Sequence, residues 1–379
     1  MGPGASVTEE QQVAALADQL EAREYADVID EGARLLPKLR TPKAIADLSL
    51  ILAKAHARMA DARAAWPYYH EAHILFEGLR DIRGMAESMD GEGCMLIALQ
   101  EPGALQLLEK ALARCRELPD IPSELEAKIL SHLGSFHTSK SRWKDAIDAH
   151  ERALAVAGSI RDIGMIVRMH NDLSLVYEQA GDKRRALSSA MKALALGEMG
   201  QHPLTLARQE SNLGLLLLWH GELEGARLHL DRAMAKCEET GSRGGKAFVL
   251  RNLAELNMRE NRFEAAESNV REALELSRQV GWRQTTADIY EVQGRLAEAQ
   301  GRNADADRSF TQAVSLLSEL DAVEQLAETH VSYAKLLEAR GELADAAEQW
   351  ERAVRAVRPN LARTEAFGAE RREQIGPTG

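Results

Sequence analysis

Alanine recurs in pairs seven residues apart along this 379-residue chain, and the pairs themselves return at a nearly constant interval. They stand at Ala26/Ala33, Ala65/Ala72, Ala104/Ala111, Ala146/Ala153, Ala186/Ala193, Ala226/Ala233, Ala266/Ala273, Ala306/Ala313 and Ala346/Ala353. The intervals between first members are 39, 39 and 42 residues, then 40 five times over. Chance alanine-rich helices would drift out of such a period, so the chain reads as an array of nine units of one kind. That reading outweighs the two or three separate domains its length would otherwise suggest.

Other small residues keep the same register. Twelve positions before the first alanine stand Ala14, Ala53, Gly134, Ser174, Gly214, Ala254, Gly294 and Ala334. The third unit has Glu92 there with Gly93 beside it, which predicts a helix shifted by one residue. Five positions before the alanine come Gly181, Gly221, Asn261, Gly301 and Gly341, residues that accept the left-handed conformation ending a helix. Apolar residues on either side follow the i, i+3, i+4, i+7 spacing. Each unit is therefore a helix A, a tight turn and a helix B. The seven apolar residues Leu213–Trp219 are then most of a buried helix A, with His220 and Gly221 as its turn.

Composition narrows the function classes. Acidic residues number 59 against 47 basic ones, a formal charge of −12, which disfavours nucleic acid or an anionic membrane surface as the main partner. No apolar run approaches the roughly 18 to 20 residues of a membrane helix, and the N-terminus lacks the pattern of a secretory signal. Cys94, Cys115 and Cys237 are too few for a disulfide framework and form no CxxC pair. A cytoplasmic protein is expected.

Little in the chain suggests chemistry. Gly241–Lys246 falls one residue short of a phosphate loop and joins two helices, so it reads as an inter-repeat turn. His70 and His73 stand three apart on one helix, but no neighbouring cysteine or carboxylate completes a metal tetrahedron, so they read as packing or surface histidines. No cofactor, metal or catalytic residue is expected.

Small residues at positions 8, 20 and 27 of each unit, with a turn residue at 15, resemble the tetratricopeptide repeat over about residues 7–358. The units exceed the usual length by about six residues and are similar to the long repeats of kinesin light chain, Pins-type polarity adaptors and the sensor domain of the maltose-regulon activator. Bacterial peptide receptors of the Rap and PlcR type are similar too. The resemblance implies an all-α, right-handed superhelical α-solenoid of about nine helical hairpins that binds rather than catalyses. Repeats 1–3 would occupy residues 7–117 and repeats 4–9 residues 123–358, as one continuous solenoid. Pro119 and Pro122 lie in the loop between these stretches, either a longer inter-repeat loop or a hinge. Residues 1–6 would be disordered or a cloning remnant, and residues 359–379 a cap and tail.

In such arrays helix A turns positions 2, 5, 6, 9, 12 and 13 towards a concave groove. Asn212 and Asn252 fall at position 6 of successive repeats, with Asp172 and His132 at the same position before them. Asparagine can pair with both N–H and C=O of an extended peptide. Arg168, Asn171, Arg208, Arg251, Arg259 and Arg295 occupy neighbouring groove positions and suit an acidic ligand. Glu178, Glu255, Glu291 and Glu298 lie close enough to neutralise them. Trp219, at position 13, is expected either to pack against the next helix A, the more favoured reading, or to offer an aromatic wall. Tyr177 and Leu217 are expected in the core. The carboxylate clamp of chaperone-binding relatives does not carry over, since Ser211 and Leu215, or Arg251 and Glu255, stand where its lysine and asparagine belong. The expected role is a peptide- or protein-binding scaffold, with a homo-oligomer open. The alternative is the sensory module of a regulator whose output domain is absent from this chain.

Overall fold

A computed structural model of the chain describes residues 8–22, 24–59, 61–99, 101–119, 123–200, 203–320 and 322–356. The described residues form helices joined by short turns, without a strand. They form two compact units divided between Met169 and His170.

The first unit contains hairpins α1/α2 (Glu9–Glu21, Tyr25–Leu35), α3/α4 (Pro42–Arg58, Ala62–Leu79), α5/α6 (Ile82–Ala98, Ala104–Cys115) and α7/α8 (Glu124–Ser139, Trp143–Ser159). Helix α9 (Ile163–Gln179) carries the division. The second unit continues with α10 (Lys183–Gly200), then α11/α12 (Pro203–Trp219, Leu223–Thr240), α13/α14 (Arg243–Arg259, Phe263–Gln279) and α15/α16 (Arg283–Ala299, Asn303–Glu319). Helix α17 (Val323–Arg340) and a helical stretch over residues 343–356 complete it. Within each unit, helices pack against their immediate successors and against the next helix A, the arrangement of stacked hairpins. Pro119 lies inside the first unit, where α6 and α7 pack directly on each other. Pro122 and the two terminal segments lie outside the described residues.

Polar caps start many of these helices. Asp61, Asp81, Ser123 and Ser242 each accept the backbone N–H three residues on, and Thr8 and Gln11 complete a reciprocal capping box. Gly241 and Ser242 thus end one helix and cap the next, which is the inter-repeat turn expected there.

The alanine pairs explain how the hairpins close. In the eight later copies both alanines are buried. Four residues past the first alanine, a large side chain lies over the small residue of helix A: Leu108 over Gly93, His150 over Gly134, Leu230 over Gly214 and Phe310 over Gly294. A Cβ on Gly214 would sit 2.8 Å from Leu230 Cγ and 3.2 Å from the Ala226 carbonyl oxygen, so no larger residue fits. Gly93 fills this place in the third unit, the one-residue shift that the sequence implied.

The first copy departs from the register. Ala14, Ala26 and Ala33 are exposed, and Val13, Leu16, Val28 and Gly32 are buried instead. Helices α1 and α2 both lean on α3, with Gly32 against the side chain of Leu52. Among the described residues this terminal hairpin has a neighbour on one side only. Its apolar faces therefore follow α3 rather than the internal A–B contact.

The turn residues adopt the left-handed backbone expected of them, with φ of +79° at Gly181, +83° at Gly221, +58° at Asn261, +72° at Gly301 and +80° at Gly341. A Cβ on Gly221 would meet nothing within 4 Å, so its requirement is purely conformational. Gly221→Val should cost about 1–2 kcal/mol, the price of a Cβ in that region, whereas Asn261→Gly should be neutral or slightly stabilising. Thermal unfolding of the two variants checks this.

Candidate functional site

Three consecutive A helices of the second unit, α11, α13 and α15, pack side by side and carry most of the expected groove residues. Asn252 on α13 is completely enclosed. Its Nδ2 donates to Ser211 Oγ on α11 at 3.0 Å, and its Oδ1 accepts from Arg251 Nη2 at 2.8 Å. The Arg251 guanidinium also lies over the Phe248 ring, 5.2 Å from its centroid. Asn252 therefore ties α13 to α11 and holds Arg251 in place. A backbone-reading amide must be reachable, and this one has spent both ends inside the stack.

One helix further on, Arg295 donates Nη1 and Nη2 to the two oxygens of Glu255, at 3.2 and 3.5 Å. Glu255 is buried, which raises a carboxyl pKa, but Arg295, followed by Arg251 and Arg259, outweighs burial and holds the group below its usual range. Asp288 on α15 goes the other way, pushed up by burial with Arg251 opposing. Internal neutralisation thus takes in Arg295. Glu178 pairs with His220 at 2.8 Å, Glu291 accepts from Thr329 at 3.2 Å, and Glu298 accepts from Arg340 Nε at 2.8 Å. Arg208 is exposed and has no ion pair among the described residues, and Arg259 is exposed as well.

Asn171 and Asn212, on α9 and α11, are placed differently. They stand 41 residues apart, the separation that places Asn252 on Ser211. Asn212 is half-buried. Asn171 is 6% exposed, and both polar atoms of its amide are buried without a hydrogen-bond partner. Asp172 beside it is half-buried and engaged in polar interactions. Trp219 ends α11 with 42% of its surface open, so its ring retains a free face. Tyr177 and Leu217 are buried, as core residues should be. Arg168, in the first unit, is exposed.

Two clusters in the first unit were illegible in sequence. Glu92 on α5 is buried and faces both His70 Nδ1 at 2.7 Å and His73 Nδ1 at 2.9 Å. The carboxylate missing from the histidine pair thus comes from the following helix. Asp90, Cys94 and His132 converge in the same way, from α5 and α7. Spacing along one helix could reveal neither, because each cluster closes across a helix–helix interface.

Residues 211–240 match the tetratricopeptide repeat family. The regulatory protein AfsR of Streptomyces griseus is 26% identical over 134 residues, which is 35% of this chain and 13% of that protein. The apo form of the quorum sensor NprR from B. thuringiensis superposes with a TM-score of 0.63 at 13% identity, covering 82% of this chain and 87% of that one. The Rap conjugation gene regulator of plasmid pLS20, in complex with the Phr* peptide, superposes with a TM-score of 0.58 at 13% identity, covering 94% and 97%. The likeness to these two solved structures is one of fold. No helix among the described residues is long and apolar enough to cross a membrane.

Proposed function

We propose that this chain is a non-catalytic, cytoplasmic scaffold that binds a peptide or extended protein segment through its A helices, with acidic ligands favoured. The observation carrying this reading is Asn212 on α11, an amide that stays half-open beside Arg208, an exposed cation one turn away on the same helix. The Asn212 amide can pair with the N–H and C=O of an extended backbone, each such hydrogen bond being worth on the order of 1 kcal/mol. Exposed Arg208 supplies the cation for ligand carboxylates. Asn252 acts indirectly, by fixing Arg251. The similarity to part of a regulatory protein, and the likeness of fold to a quorum sensor, favour this scaffold being the sensory part of a regulator.

The test is selection of random heptapeptides on the immobilised chain, followed by affinity measurement on the winners. Acidic sequences should be enriched, and Asn212→Ala with Arg208→Ala should weaken binding by at least about tenfold at unchanged helical content. Added salt should weaken it further. Unchanged affinity in the double variant would sink the assignment.

A further inference from the structure

We propose that Asp90, Cys94 and His132 form a binding site for zinc or a similar borderline-soft divalent ion. Asp90 and Cys94 lie one turn apart on α5, and therefore on one face of it. His132 reaches them from α7, the next helix A of the same unit. One ligand atom from each residue falls within 4.8 Å of the other two. Tetrahedral zinc holds such atoms about 2.0–2.3 Å from itself, so its ligands stand roughly 3–4 Å apart. The cluster needs only a small contraction to reach that geometry.

The state of Asp90 favours a cation ligand. Its carboxylate is wholly buried; Oδ1 meets His132 Nδ1 at 2.7 Å, while Oδ2 is buried without a hydrogen-bond partner. The nearest further cation, Lys128 Nζ, is 3.9 Å from Oδ2 on a side chain that is 37% exposed, able to swing into solvent. A buried carboxylate with one oxygen unsatisfied is costly. A divalent cation bound by one carboxylate, one thiolate and one neutral imidazole leaves the site with no net charge. Binding would release the thiol proton and leave His132 as a neutral imidazole. Cys94 and His132 both keep some exposure, which admits the ion and leaves a fourth position for water. The thiolate and imidazole select against magnesium and calcium.

The neighbouring His70–His73–Glu92 cluster is a natural comparator. Both oxygens of its carboxylate are already paired with histidine, and it has no sulfur. Cys115 and Cys237 are buried, so attack by a disulfide reagent on the native full chain reports Cys94. After chelator treatment, added zinc should slow that reaction by about tenfold or more, because a coordinated thiolate is withdrawn from attack. His132→Ala and Asp90→Asn should abolish the protection, and His70→Ala should keep it. Cobalt(II) added to the wild-type chain should give a thiolate-to-metal charge-transfer band in the near ultraviolet, absent from Cys94→Ser. Equal reaction rates with and without zinc, or cobalt spectra lacking that band in the wild type, would overturn the assignment whether or not any variant folds. So would protection that survives His132→Ala but disappears in His70→Ala.

Discussion

Tryptophan in place of Ala226 should lower the melting temperature of the second unit by about 6–12 °C. Ala226 is fully buried on α12, and its carbonyl oxygen lies so near Gly214 on α11 that a single added carbon there would stand 3.2 Å from it. The two backbones are close to touching. An indole cannot be seated without prising the hairpin open. Overpacking a well-filled core costs about 1–3 kcal/mol, with Ala→Trp at the upper end or beyond, and each kcal/mol shifts a unit of this size by about 2–4 °C. Glu222→Trp, on the exposed rim of the same turn, should stay within about 0.5 kcal/mol of wild type. Ala26→Trp should be equally mild, although sequence alone makes Ala26 the same residue as Ala226, because here that alanine faces outward. Scanning calorimetry of the three variants separates these cases. A large loss at Ala26, or none at Ala226, would mean that the packing register is wrong.

Acid should destabilise the first unit through His150. This side chain is 1% exposed and lies over Gly134, where its counterparts in other repeats are Leu108, Leu230 and Phe310. Burial lowers its pKa to about 4, with repulsion from His132 and His137 adding to the shift. In the unfolded chain the same imidazole titrates near 6.5. Its folded pKa is thus the lower one. Between about pH 6.5 and 4 the unfolded chain takes up a proton that the folded chain refuses, so stability is full above pH 6.5 and drains away as pH falls. From pH 7 to pH 5 the loss is about 2 kcal/mol, or roughly 4–8 °C in melting temperature. His150→Leu restores the apolar residue of the other repeats and should remove this component, leaving a flatter acid limb. Parallel pH dependences for wild type and variant would show that His150 is not held neutral.

The repeat, its length, the small residues at the helix contacts and the glycines at the turns were all legible in the order of amino acids. The reason is locality. Helix periodicity, left-handed turns and the close approach of two helices within a hairpin depend on residues a few positions apart, and stacking repeats them in register. Gly93 could even be placed one residue out of phase before its contact with Leu108 was visible. What the side chains on the A helices do was decided only in three dimensions. Asn252 and Asn212 have the same repeat position, yet one is locked between Ser211 and Arg251 and the other stays half-open. Glu92 reaches His70 and His73, and Asp90 reaches His132, because a neighbouring helix in the stack delivers a partner some 20 or 40 residues away. A terminal hairpin turned its alanines outward for the same reason: which face is buried depends on the neighbour it packs against, and a repeat at the end of the stack has a different neighbour from one inside it.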